Sequence, residues 1–192
     1  MGNKKRYYKG NRERKDKRAS SVNLMDNRII FLNGEITDIS FKEIIEQLLK
    51  LDMSNDKKDI TLFTNSGGGN VPATLAIYDT MNYIKSDIKT IGIGKCSSTA
   101  LLILLNGTKG KRFMTKNAEV MIHEVSSGSF DKVSEMKEDL NHSIIVNDKV
   151  LKIIANKTNR TLKQIRTAIK NKDNWMNSIQ ALKFGFVDKV LW

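Results

Sequence analysis

From residue 28 onward, short apolar runs and apolar residues at helical spacing succeed one another along the chain. Arg28-Ile29-Ile30-Phe31-Leu32 reads as a short buried strand closed by Asn33-Gly34. Phe41, Ile44, Ile45, Leu48, Leu49 and Leu51 then recur on one face of a 3.6-residue period, which predicts an amphipathic helix. Ile60 to Thr64 is a second strand, running into Asn65-Ser66-Gly67-Gly68-Gly69 and a helix from about Pro72 to Ile84. Pro72 suits the first turn of that helix, where a missing N–H costs nothing.

Ile88 to Ile93 is the next strand, followed by Gly94-Lys95-Cys96-Ser97-Ser98 and an apolar helix to Leu105. Val120-Met121-Ile122 is a buried strand with His123 at its C-terminal end. Residues 131–157 form a long helical pattern with Val133, Met136, Leu140 and Ile144 on one face. Thr161 and Gln164 stand at capping-box spacing before a helix at about Leu162–Ile169. Asn177 and Gln180 repeat that spacing before a final helix ending at Gly185, and Val187–Leu191 reads as a last strand. Strand–loop–helix units joined by short connections predict an α/β fold with a largely parallel sheet. Sites in such folds form where strands deliver the chain into helices, and Gly67–Gly69, Ser98 and His123 all occupy such positions.

Composition narrows this picture. The 192 residues are 40% hydrophobic, which fits one globular domain with a substantial core. The longest apolar run, Ala100 to Leu105, is far short of the roughly 20 residues a membrane helix needs. Cys96 is the only cysteine, so no internal disulfide forms and a reducing compartment is the simpler setting. Met1 to Ser20 is polar throughout and lacks the apolar stretch of a secretory signal.

The net charge of +12 is uneven: residues 1–18 carry nine Lys/Arg against Glu13 and Asp16, which makes that segment +7. Residues 1–21 are therefore expected to be a basic, flexible tail ahead of a domain spanning 22–192. Such a tail can attract anions, but the rest of the chain is only +5, so nucleic-acid binding is not the expected activity.

The candidate chemistry is ambiguous residue by residue. Three consecutive glycines can turn backbone N–H groups toward an oxyanion or a phosphate, or simply make a tight turn. The spacing is neither a dinucleotide fingerprint nor a P-loop. Ser98 can be a nucleophile favoured by a helix N-terminus, or a helix cap; it lacks the flanking glycines of a Gly-x-Ser-x-Gly elbow. His123 can be a general base or a hydrogen-bonded structural residue, and Asp173 can be an orienting acid or a turn former.

Read together, the stretches RIIFLNGEI, NSGGGNV, LAIYDTMNYIKSDIKTIGIG, GTKGKRF, VMIHE, KDNWM and FGFVDKVL resemble the proteolytic subunit of the Clp protease, in order and nearly in spacing, from Arg28 to Leu191. The resemblance implies the ClpP/crotonase-like α/β fold with a handle helix, and a serine endopeptidase. Ser98 falls on the family nucleophile, His123 on its base and Asp173 on its acid. Gly69 and Thr99 fall on the residues whose N–H groups line the oxyanion hole, with Gly68 beside them. The resemblance further implies two stacked seven-membered rings, made of this chain or with a paralogue. An AAA+ Clp ATPase would feed unfolded polypeptide into the chamber, with no cofactor in this subunit and ATP spent by the partner. The expected compartment is the cytoplasm or an organelle of bacterial origin.

Several residues depart from the family pattern. Gly67 replaces a usual Pro, and Lys95-Cys96-Ser97-Ser98-Thr99-Ala100 replaces Met-Ala-Ala-Ser-Met-Gly. Lys95 must alter the local electrostatics or point away; Cys96 is expected as a buried filler, with a redox-sensitive thiol as the alternative. Glu124-Val125-Ser126-Ser127-Gly128 changes the substrate-strand region, and Asn171-Lys172 replaces an Asp-Arg pair that couples ring assembly to triad alignment. Met1–Ser21 shows no clear match to the family's axial-loop segment. Phe63 and Tyr83 match aromatic positions of its unfoldase-docking pockets, or are core or subunit interface. Two competing readings are a catalytically weak or inactive subunit with an assembly or regulatory role, and a crotonase-like acyl-CoA enzyme.

Overall fold

The computed structural model describes residues 23–126, 132–170 and 172–192. Residues 1–22, which include the basic tail, lie outside them, as do Ser127, Gly128, Asn171 and the side chain of Val133. A 3-10 turn at Leu24–Asn27 leads into β1 (Ile29–Asn33), α1 (Ser40–Ser54), β2 (Ile60–Ser66) and α2 (Val71–Tyr83). Then come β3 (Ile88–Ser97), α3 (Ala100–Leu105), β4 (Arg112–Thr115), β5 (Glu119–Ile122), α4 (Val133–Thr158), α5 (Leu162–Ile169), β6 (Asn174–Asn177), α6 (Ser178–Phe184) and β7 (Lys189–Leu191). The fold is α/β, consistent with the ClpP/crotonase-like expectation.

The strand order is β1-β2-β3-β4-β7, with β5 paired to β3 and β6 paired to β5. Every ladder is parallel except β5–β6. The strand at Ile88 continues past Ile93 to Ser97, where the sequence pattern reads a loop. Thr90–Gly92 of β3 pair with β4, whereas Lys95–Ser97 pair with β5. Gly94 lies between the two halves at φ +57, a conformation glycine adopts without penalty. This switch lets one strand serve two neighbours and carries the chain to Ser98.

Helix ends follow local chemistry. Asn70 caps α2 through a 2.8 Å bond from the Ala73 N–H, and both capping boxes expected from spacing, Thr161/Gln164 and Asn177/Gln180, are formed. Gly185, at φ +95, closes α6 in the left-handed conformation that ends many helices.

Helix α3 is buried on every side, as an all-apolar helix must be. Ala100 and Ile103 join the core formed with α1, α2, β1 and β2; Leu101, Leu102, Leu104 and Leu105 join the core formed with α4, α5 and α6. The long helix divides differently from its sequence pattern. Val150, Leu151, Ile154 and Ala155 near its C-terminal end are buried, while Met136, Leu140, Ile144 and Ile145 are left exposed. Among the described residues, no helix is long and apolar enough to cross a membrane.

Candidate active site

Strand β5 organises the site by pairing on both of its edges. On one edge the parallel ladder sets Ser97 against Met121, and the Ser98 N–H continues the pairing by donating to the Met121 carbonyl at 2.9 Å. On the other edge the antiparallel ladder ends at Ile122 opposite Asn174, so the next residues outward are His123 and Asp173. Three residues far apart in sequence are thereby collected at one end of a single strand.

Ser98 Oγ lies 2.7 Å from His123 Nε2, a short hydrogen bond. With the imidazole proton on Nδ1, the serine hydroxyl donates to Nε2. His123 Nδ1 lies 3.6 Å from Asp173 Oδ1, beyond hydrogen-bond range but within reach of electrostatic attraction. The side chains become more exposed along the relay, from 25% at His123 to 58% at Asp173. The connection before β6 is held by the Asn174 side chain, whose Nδ2 donates to the Ala168 carbonyl at 2.9 Å.

Ser98 sits at φ +55, a left-handed conformation uncommon for a residue with a side chain and often retained at functional turns. The glycine segment fits against it without room to spare. A Cβ on Gly68 would fall 2.8 Å from the Ser98 Cβ and 3.0 Å from the Thr99 nitrogen, with φ already at +96. A Cβ on Gly69 would overlap the Ile36 carbonyl oxygen. Gly68 and Gly69 therefore permit a close backbone approach that any side chain would block.

Hydrogen bonds hold this segment. The Gly68 N–H donates to Ser66 Oγ at 3.0 Å, the Gly68 carbonyl accepts from Ile36 N–H at 3.0 Å, and Asn70 N–H donates to the Ile36 carbonyl at 2.8 Å. Among the described residues, the N–H groups of Gly69 and Thr99 donate to no protein acceptor. Both are thus free to receive an anionic oxygen beside Ser98. The six-residue α3 that follows Ser98 adds only a short dipole.

The departing residues also find their places. Cys96 is fully buried, with Sγ 3.2 Å from the Thr64 carbonyl. Burial pushes its thiol up to about 12, which removes the thiolate a redox sensor requires. Ser97 is buried, and its hydroxyl has no hydrogen-bond partner among the described residues. Lys95 is exposed and lays its ammonium along Gly67, 3.6 Å from where a Cβ would stand. It borders an open cavity of about 490 Å³ that runs along Gly67–Gly69. Lys172 lines a smaller cavity with His123, Glu124, Ser126, Ile169 and Asp173. Val125, following Glu124, is tied to α4 by its N–H donating to Asn147 Oδ1 at 3.1 Å. Tyr83 is 81% exposed, which excludes a core role, and Phe63 stacks on the half-exposed Phe31 at 5.0 Å.

A serine–histidine pair delivered by an α/β sheet beside unengaged backbone donors is the build of a serine-type hydrolase. Comparison with known proteins carries this to a family. The chain belongs to the Clp protease family, a family of serine-type peptidases, whose family model, described as "Clp protease", matches residues 11–192. The chain is 41% identical over 170 residues to the ATP-dependent Clp protease proteolytic subunit of Streptococcus suis (strain 98HAH33), covering 88% of this chain and 86% of that protein. It is 40% identical, with the same coverage, to the protein of that name from Streptococcus pyogenes serotype M5 (strain Manfredo). The family match begins at residue 11, so it takes in residues ahead of Arg28, including part of the segment read from sequence as unmatched.

Proposed function

We propose that Ser98, His123 and Asp173 form the catalytic triad of an endopeptidase that cleaves unfolded polypeptide inside a ring-shaped chamber. The observation that carries this reading is the 2.7 Å contact between Ser98 Oγ and His123 Nε2, beside the free N–H groups of Gly69 and Thr99. His123 takes the serine proton as Oγ attacks the scissile carbonyl carbon. Negative charge then builds on the carbonyl oxygen, where the Gly69 and Thr99 N–H groups receive it, with Gly68 giving the close approach. Losing one donor of this kind typically lowers the rate by about 100- to 1,000-fold. The C–N bond breaks as His123 returns the proton to the leaving amine, and water releases the acyl group by the same steps. Asp173 holds the imidazole tautomer and stabilises the imidazolium. No step calls for a metal or organic cofactor in this subunit.

The assembly follows the same reading. The relatives are named as proteolytic subunits of an ATP-dependent protease, which supports stacked rings of this chain or of it with a paralogue. An AAA+ Clp ATPase would spend ATP to deliver substrate, in the cytoplasm or an organelle of bacterial origin. The exposed Met136, Leu140, Ile144 and Ile145 give α4 an apolar face suited to contact between rings, and exposed Tyr83 suits docking of the ATPase. Lys172, beside Asp173, would transmit assembly to the acid in place of the family's Asp-Arg pair. A non-catalytic role in assembly is the weaker reading, because the serine–histidine contact is closed.

The test is hydrolysis of fluorogenic peptides by the purified protein, with mass measured in the same fraction and Ser98→Ala as control. Turnover that tracks the ring-sized species and disappears in the variant is expected. A ring-sized species without turnover overturns the proposal.

A further inference from the structure

We infer that Lys95 is a specificity determinant that selects peptide substrates carrying a carboxylate close to the scissile bond; the inference rests on the peptidase reading above. Gly67 is the hinge of the case. Where a side chain would fill the space beside Gly67, the Lys95 ammonium lies instead, 3.6 Å from the missing Cβ. The next residue, Gly68, has its own missing Cβ 2.8 Å from the Ser98 Cβ. These two contacts and the one residue step between them bring Nζ within about 15 Å of the candidate nucleophile. An extended peptide advances about 3.3–3.6 Å per residue, so Nζ is in reach of a side chain two or three positions from the scissile carbonyl.

The ammonium is available for this role. It makes no ion pair among the described residues, although Glu119 is its register partner in β5. Its backbone is fixed: the Lys95 N–H donates to Asn65 Oδ1 at 3.2 Å, and Asn65 Nδ2 donates to Asn33 Oδ1 at 2.8 Å. The cavity beside Gly67–Gly69 is lined by Asn33, Asn65 and Lys95, and Glu35 is the one carboxylate on its wall. A peptide lying there meets amide donors, an ammonium and a single opposing charge. That combination favours an Asp or Glu side chain, whose desolvation is limited by the openness of the site. Glu35 weakens the preference without cancelling it, because neither it nor Glu119 closes on the ammonium.

The experiment compares matched fluorogenic peptides with Asp, Asn or Lys placed at each of three positions on either side of the cleaved bond. They are assayed on the assembled wild-type, Lys95→Gln, Lys95→Glu and Glu35→Gln proteins. The wild type should favour Asp over Asn at one or two positions by about tenfold in kcat/KM, with the ratio shrinking as salt rises. Lys95→Gln should bring the ratio to near one, Lys95→Glu should turn the preference to Lys, and Glu35→Gln should raise the Asp ratio. Equal Asp/Asn ratios in the wild type and Lys95→Gln overturn the inference while leaving peptidase activity intact. Binding of the same peptides to Ser98→Ala protein, followed by fluorescence anisotropy, separates the two claims. Lys95-dependent binding of the Asp peptide without hydrolysis by the wild type supports the role of Lys95 and rejects the peptidase reading. Absence of any Lys95-dependent preference in both binding and turnover rejects the role of Lys95.

Discussion

The two edges of β5 differ in how firmly they hold the chemistry they carry. On the β3 edge, Ser98 is pinned by a parallel ladder, a backbone bond to Met121 and the wholly buried α3 that follows it. On the β6 edge, Asp173 precedes a four-residue antiparallel strand, is 58% exposed, and stands 3.6 Å from the ring nitrogen it faces. His123 joins the edges, closed toward the serine and open toward the acid. One chain thus fixes Ser98 beside the unengaged N–H groups of Gly69 and Thr99, while Asp173 stays 3.6 Å from His123. Under the proposed assembly, contacts from a neighbouring subunit at this exposed edge would close Asp173 onto His123. Catalytic hydrogen bonds commonly tighten only in the working complex.

The largest break in this contrast comes from Ser98→Ala or His123→Ala, each expected to lower kcat by about 10⁴-fold or more without changing the fold. Peptide turnover and circular dichroism on the same samples check this. Asp173→Asn should cost somewhat less, about 10³- to 10⁴-fold, because it removes the orienting acid but leaves the serine–histidine contact. If Asp173→Asn cost under tenfold in the assembled protein, the acid would not be closing on His123 at all. Gly68→Ala probes the firm edge. Strain of about 1–3 kcal/mol at a positive φ, added to contact with the Ser98 Cβ, should lower the melting temperature and reduce kcat by about 100-fold.

Smaller effects sharpen the comparison through stability alone. Leu102→Ala in α3 should destabilise by about 2–5 kcal/mol, measured by denaturant titration, because the cavity opens in a fully buried helix. Far from the site, Asp188 accepts from the Arg112 side chain, including a 3.0 Å bond from Nε, and from the Gly110 N–H at 2.8 Å. Burial alone would raise its carboxyl, but the Arg112 and Gly110 contacts outweigh burial and hold it below the usual aspartate value of 3.8. Its folded form therefore binds a proton less readily than its unfolded form. The stability it contributes is full above that ordinary value and lost as pH falls through the lower folded one. Asp188→Asn should lower stability at neutral pH and flatten the acid limb of a stability–pH curve below about pH 4.

Much of this arrangement was legible in the residues. Periodicity found the helices, cap spacing marked the starts of α5 and α6, and the glycine run and Ser98 stood where strands enter helices. The tail of β3 was not legible, because the sequence reading ends the strand at Ile93, and only pairing with β5 makes Lys95–Ser97 a strand. β4 and β6 escaped because neither carries the continuous apolar run that marks β5: β4 is Arg-Phe-Met-Thr and β6 is Asn-Trp-Met-Asn. β6 nonetheless begins directly after Asp173, and its pairing with β5 sets Asp173 near His123, so the position of Asp173 depended on non-local pairing. The apolar face of α4 was visible in sequence, but its exposure was not, since periodicity reports that a face is apolar and not what covers it.

The most direct measurement is covalent labelling of the assembled protein with a fluorophosphonate probe, located by peptide mapping. The expected result is a single modification on Ser98, lost in His123→Ala and slowed in Asp173→Asn. Absence of labelling in a ring-sized assembly, or labelling at another serine with Ser98 untouched, would contradict the account.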